Sequence, residues 1–327
     1  MQRRRLGNHG PELTTIGLGT WAIGGGNWRF GWGDQDADEA INAVLRAVDL
    51  GINWIDTAAV YGDGESEKLV GQALARIPAN QRPLIATKCT RIVQADGSIT
   101  PVMDRRSIFT EFERSLRHLQ VETIDLYQLH WPQPEEDIEE GWGALAELVQ
   151  QGKVRHIGVC NFNVAQMKRI QPIHPIASLQ PPYSMLVRDI EQEILPFCES
   201  EGIGVVGYSP MYKGLLTGSF DSQRADQLPE NDHRSRDPRF QPPQLGIHLS
   251  LVGKLKEVAA ALDCTVAQLA IAWTLRMPAV TSAIVGARRP QQIESTVAAS
   301  DLSLDADTLR QLDALLAEHA RALQEVA

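Results

Sequence analysis

The chain reads as an α/β protein, a (β/α)8 TIM barrel with extra carboxyl-terminal helices and a long loop after its seventh strand. Three observations predict this. Eight apolar, β-branched runs alternate with amphipathic helical patterns along nearly the whole sequence. No linker interrupts the 327 residues, a length that such barrels use as one unit, so 1–327 is expected to be a single domain. Reactive polar residues stand at the downstream ends of three consecutive runs, where barrel enzymes carry their chemistry.

The strand-like runs are 15–20, 53–58, 84–89, 124–130, 156–161, 177–183, 204–210 and 279–287. They are continuous apolar stretches, as expected for parallel strands covered on both faces. Between them, segments such as DADEAINAVLRAVDLG, RRSIFTEFERSLRHL and DIEEGWGALAELVQQG space apolar residues three and four apart. Asp or Ser precedes several helix starts, and Gly51, Gly152 and Gly202 follow three helix ends, where glycine takes the left-handed conformation.

Two features depart from the repeat. Residues 211–249, rich in Pro, Asp, Arg and Gln, are too long for a connector and are expected to form a lid or ligand clamp. Two further helices, around 250–263 and 266–277, then precede the eighth strand, and a last amphipathic helix runs from Asp305 to about Leu323.

Composition narrows the function classes. The formal net charge is −10, from 31 basic and 41 acidic residues, which argues against a nucleic-acid or anionic-membrane surface. No stretch reaches the ~18 apolar residues a membrane helix requires, and the basic start has no apolar run behind it, so a cytoplasmic protein is expected. Cys89, Cys160, Cys198 and Cys264 are far apart in apolar surroundings, the pattern of buried reduced thiols. No metal-ligand spacing is present.

The reactive residues are Asp56 and Tyr61 in WIDTAAVYG, Lys88 in LIATK and His130 in LYQLHWP. Together they suit proton transfer to a carbonyl oxygen. The Tyr61 phenol is too weak an acid near neutrality, and the Lys88 ammonium is expected to lower its pKa. Asp56 would keep a buried lysine charged, and His130 would orient the carbonyl. Taken singly, Asp56 could cap a helix near Glu65, Tyr61 could be a loop aromatic, Lys88 a solvated cation and His130 a core histidine. Their joint placement on three strand ends favours chemistry.

WIDTAAVYG, ATK and LYQLHWP resemble the tetrad motifs of the aldo-keto reductases, and the similarity extends from RRLGNHGPELTTIGLGTW to IVGARRPQQIEST. The resemblance implies a barrel that reduces aldehydes and ketones to alcohols with NADPH, Tyr61 being the proton donor. It implies a small-molecule carbonyl or alcohol as partner, and a monomer.

Gly17 to Ala22 also fits the dinucleotide pattern G-x-G-x-x-A, but it runs into Gly24-Gly25-Gly26, which no helix would tolerate. The resemblance instead puts Thr20 and Trp21 near the nicotinamide or substrate. It assigns the carboxamide, beside Asp56, to Asn161 and Gln180, and stacks Tyr208 on the ring. Ser209, Pro210, Met211, Gly214 and Leu215 match a segment that covers the pyrophosphate, with Arg234 reaching the same phosphates. An exposed, solvated arginine is the bland alternative for Arg234, and a helix N-cap is the one for Asn161.

Gly286 leads into a helix near Pro290 whose amino end suits a 2′-phosphate, and Arg288 with Arg289 adds cationic donors that favour NADP over NAD. Gln292 matches a contact to the adenosine. Two departures stand out: Cys160 replaces a usual serine, and Ser295-Thr296 replace a Glu-Asn pair that contacts adenine, Thr296 remaining in the cofactor set. Two rival readings are a non-catalytic, NADP-binding regulatory subunit on the same barrel and a barrel sugar isomerase or lyase. Trp21, Trp28, Phe30, Trp32 and Trp131 suggest an aromatic-rimmed pocket.

Overall fold

In the computed structural model, which describes residues 1–326, eight parallel strands close into a barrel. The strands are β1 (Ile16–Gly19), β2 (Trp54–Asp56), β3 (Leu84–Cys89), β4 (Ile124–Leu129), β5 (Val154–Cys160), β6 (Ser178–Gln180), β7 (Gly204–Tyr208) and β8 (Val280–Gly286). Each pairs with its neighbours in sequence, and β8 closes on β1 through Val285 and Leu18. All eight expected strands are present. The sixth is shorter than 177–183 because Pro181 and Pro182 end its ladder.

The helices form where the periodicity places them: α1 (Ala37–Asp49), α2 (Glu65–Ala75), α3 (Arg105–Leu119), α4 (Ile138–Gln150), α5 (Val164–Ile170) and α6 (Ile194–Glu201). Asp36 and Asp104 cap α1 and α3 by accepting from the amides of Glu39 and Ser107. Asn163 caps α5 in a box with Gln166. Gly51, Gly152 and Gly202 take positive φ at helix ends, as their positions in the sequence require.

Inside the barrel, Trp54, Ala86, Leu126, Val206 and Ile284 pack against Leu6 and Leu13 of an amino-terminal hairpin that the strand pattern does not reveal. Its strands, Arg3–Arg5 and Glu12–Thr14, plug the end of the barrel away from the chemistry. Gly17 has no room for a side chain: a Cβ there would overlap the Trp54 ring. The first glycines of the dinucleotide-like pattern therefore serve strand packing, and Trp21–Ile23 is a single 3-10 turn, so the Rossmann alternative fails.

The long segment after β7 is ordered by its own small core of Leu215, Phe220, Ala225, Phe240 and Leu245, with a short helix α7 (Ser222–Asp226). It is clasped to the loop after β1: the His233 amide donates to Gly31 O at 2.8 Å, and the Gly33 amide to Asn231 O at 3.3 Å. The next helix, α8 (Gln244–Ala261), starts earlier than expected, because QLGIHLS continues the turn out of Pro243 instead of extending the loop. Then come α9 (Val266–Leu275), α10 (Pro290–Glu294) and α11 (Ala306–Gln324). No single helix among the described residues is long and apolar enough to cross a membrane.

Candidate active site

A cavity of about 1280 Å³ opens at the carboxyl ends of the strands and runs from Tyr61 and His130 to Arg288 and Arg289. Its position follows from the barrel: β2, β3 and β4 end side by side, so their last residues meet at one floor.

Asp56 closes β2, and Lys88 lies one residue short of the end of β3. The Lys88 ammonium donates to both Asp56 oxygens, at 2.9 and 2.7 Å, and to Thr57 O at 2.8 Å. It stands 3.4 Å from the Tyr61 hydroxyl. Asp56 is therefore no cap for α2, which starts behind Gly64 without a side-chain cap. Lys88 is 1% exposed and is no solvated cation.

Burial pulls the Lys88 pKa down, but the Asp56 charge and the Tyr61 oxygen outweigh it and hold the ammonium above its ordinary value. For Tyr61 the balance goes against the sequence expectation of a lowered pKa. Burial dominates; Lys88 pulls down, Asp56 pushes up, and the phenol ends at about 12. Burial, then the charges of Lys88 and Arg91, drive the His130 pKa well down, so its imidazole is neutral and donates one N–H. The ring stands edge-on to Tyr61 with centroids 5.9 Å apart, and Nδ1 has no partner among the described residues.

Gln180, at the end of β6, donates from Nε2 to Asp56 Oδ1 at 2.8 Å. Asn161 follows β5 with a φ of 63°, donates to His130 O at 3.0 Å and accepts from the Tyr208 hydroxyl at 3.0 Å. The cap of α5 is Asn163, so the helix-cap alternative for Asn161 falls. Two amides and one aromatic thus converge beside the tetrad, with Ser209, Pro210, Met211 and Gly214 continuing the wall.

Two expected ligands lie off the cavity wall, and others on it already have partners within the chain. Thr20 does not line the cavity; it is buried and donates to Asp56 O at 2.9 Å, bracing the strand end from behind. Leu215 is likewise absent from the wall, its side chain packing in the apolar core of the long segment. Arg234 is buried and bidentate with Asp232, at 3.0 and 2.6 Å, and covers the Trp32 ring at 4.6 Å, so it is not a solvated arginine.

Arg288 gives its guanidinium to the β1 loop: Trp32 O at 2.7 Å, Gln35 Oε1 at 2.8 Å and Asp34 O. Arg289 is exposed and makes no side-chain hydrogen bond or ion pair among the described residues. Gln292 Oε1 accepts from the Arg288 amide at 2.7 Å. Thr296 and Ser295 bond back to carbonyls of α10. Trp21, Trp28, Phe30, Trp32 and Trp131 do rim the cavity.

Three contributors escaped the sequence reading. Gln128 on β4 accepts from Gln180 at 3.4 Å, and a polar residue inside an apolar run was its only signal. Glu111, 6% exposed on α3, accepts from the Thr90 amide at 2.9 and 3.1 Å and holds that residue at a φ of 77°. Helical periodicity offered no reason to bury a glutamate. Arg91 lines the cavity from a hairpin after β3, Arg91–Val93 with Ile99–Pro101, whose only mark was the turn at Gly97.

The fold and the site together define a (β/α)8 barrel enzyme with buried ionisable groups at the strand ends and a large cavity above them. The chain belongs to the aldo/keto reductase family, whose model matches residues 15–317. It is 35% identical to the Bacillus subtilis (strain 168) aldo-keto reductase YhdN over 317 residues, 97% of this chain and 94% of that protein. It is 36% identical to the NADH-specific methylglyoxal reductase of Escherichia coli (strain K12), over 99% of this chain and 100% of that protein. The solved glycerol dehydrogenase AKR11B4 from Gluconobacter oxydans superposes with a TM-score of 0.84 at 37% identity, covering 94% of this chain and 93% of that one. This chain is accordingly an oxidoreductase acting on carbonyl or alcohol substrates, in a family that binds NAD(P)(H).

Proposed function

We propose that the protein reduces small aldehydes or ketones to alcohols with NADPH, Tyr61 giving the proton. The observation that carries this reading is the Lys88 ammonium, held between Asp56 and the Tyr61 hydroxyl at the floor of the cavity. The residues present fit the cofactor: the one cavity is lined by both Tyr61 and Arg289, and the Asn161 and Gln180 amides on its wall are the donor-and-acceptor groups that would suit a carboxamide. A bound nicotinamide would supply the hydride.

The remaining steps belong to this chain. Neutral His130 donates an N–H to the carbonyl oxygen and orients it toward Tyr61. Tyr61, protonated at neutral pH, passes its proton to that oxygen as negative charge develops there, and Lys88 stabilises the phenolate left behind. Asp56 keeps Lys88 charged and aimed, and water restores the phenol. Tyr208 would offer a nicotinamide ring a flat wall, and Arg289 would hold a 2′-phosphate.

The E. coli relative's name makes NADH the competing cofactor, and those of the E. coli and Gluconobacter relatives put small aldehydes and polyols on the first substrate panel. Following NADPH and NADH oxidation with that panel tests the reading. A protein that binds NADPH but turns over no carbonyl would be a binding subunit instead, and one that acts without cofactor an isomerase or lyase.

A further inference from the structure

Arg91 is an arginine of the cavity wall whose charge is unmatched. Its Nη2 donates to the neutral Gln133 amide at 2.9 Å, and its guanidinium lies 5.8 Å from the Trp131 ring centroid. Nε is buried and has no partner among the described residues, and no carboxylate there lies within ion-pair distance of this side chain. The other partly buried arginines of the wall are answered: Arg234 by Asp232, Arg239 by Asp237, and Arg288 by the acceptors of the β1 loop.

Charge balance at the catalytic end points the same way. Asp56 is neutralised by Lys88, and the other carboxylates lining the cavity, Asp34, Asp36 and Glu39, lie toward α1 and Arg288. Arg29 adds a second cation to the cavity lining, 5.5 Å from the Phe30 ring centroid, while Trp28 stands 6.1 Å from Tyr61. Arg91 is close enough to His130 for its charge to depress the imidazole pKa. A half-buried cation among aromatic walls, with spare N–H donors and no anion, is poised for an anion supplied by the ligand.

We propose that Arg91 selects the substrate, and that the preferred carbonyl compounds carry a small anionic group, a carboxylate or a phosphate, on the side that faces the hairpin. The inference rests on the carbonyl-reductase reading above and refines its substrate class. The anion would replace the missing counter-charge of Arg91 and fix the carbonyl over Tyr61 and His130.

Matched pairs test it: succinic semialdehyde against butanal for a carboxylate, and glyceraldehyde 3-phosphate against glyceraldehyde for a phosphate, each followed by NADPH oxidation. In at least one pair the wild-type kcat/KM should favour the anion by about tenfold or more, as charge-assisted hydrogen bonds do. The pair that shows the preference names the anion. Arg91→Gln should bring that ratio toward unity, with the loss chiefly in KM, and Arg91→Lys should keep part of it.

Equal use of both members of every pair by the wild type overturns the proposal. So does an Arg91→Gln variant that slows both members by the same factor, as a mere hairpin strut would. A wild-type protein that reduces no carbonyl at all overturns the reductase reading itself, and the inference with it. The wild-type ratios alone decide the matter if neither variant folds.

Discussion

The Lys88 ammonium lies 2.7 Å from Asp56 Oδ2 and 3.4 Å from the Tyr61 hydroxyl, so one buried cation joins the carboxylate to the phenol. Because Asp56 and Lys88 are 3% and 1% exposed, neither charge is shared with water, and each depends on the other. Lys88→Met should therefore cost about 3–5 kcal/mol of folding stability, the usual cost of stranding a buried charge. It should also abolish reduction. In the double variant Lys88→Met, Asp56→Asn much of the stability should return in urea unfolding while activity stays absent. Loss of stability in equal measure in both variants would contradict the pairing.

Tyr61→Phe should lower kcat for carbonyl reduction by about 100-fold or more, the scale of a lost general acid. NADPH affinity, read by fluorescence titration, should change little. Full activity in this variant would remove Tyr61 from the mechanism.

The pH profile follows from the raised Tyr61 pKa of about 12. Reduction needs the phenol, which predominates below that value, so its rate should hold across the neutral and mildly alkaline range. Alcohol oxidation needs the phenolate and should rise with pH over the same interval. A reduction rate that falls with a midpoint near neutrality would show that Lys88 lowers the pKa more than burial raises it.

The adjacent arginines should behave differently, although the sequence treats them as a pair. Arg289→Ala should weaken NADPH binding by about tenfold, the scale of one charge-assisted contact, and leave NADH nearly unaffected. Arg288 holds the β1 loop through Trp32 O and Gln35, so Arg288→Ala should weaken both cofactors. Dissociation constants for the two cofactors check this, and equal losses in Arg289→Ala would remove the 2′-phosphate assignment.

Glu111 gives a stability test. Burial dominates over two backbone amides and pushes its carboxyl up to about 8, well above its unfolded value. The native state thus holds the proton that the unfolded state releases, and the stabilisation from Glu111 fades as pH rises from about 4.5 to 8. Glu111→Gln cannot titrate, so its Tm relative to wild type should climb through that window. A difference that stays flat would mean that Glu111 ionises normally in the fold.

The barrel was legible because its strands are continuous apolar runs and its helices carry end signals at Asp36, Asp104 and Gly202. Such information is local, and so is the order in which Asp56, Lys88 and His130 reach three successive strand ends. The amino-terminal hairpin was not legible, since three-residue strands have too little alternation to register. The start of α8 was hidden by the prolines before it.

Sequence alone thus determined the barrel, the family resemblance and the set of residues gathered at its mouth. Only the tertiary structure decided how those residues divide their work. Thr20 braces the end of β2, Arg288 ties the β1 loop to the cavity wall, Leu215 packs inward, and Arg234 pairs with Asp232. Partners of this kind are chosen by distance in space, which residue spacing does not encode. The Tyr61 pKa depends in the same way on burial against the pull of Lys88, a balance that exists only once the chain has closed around them.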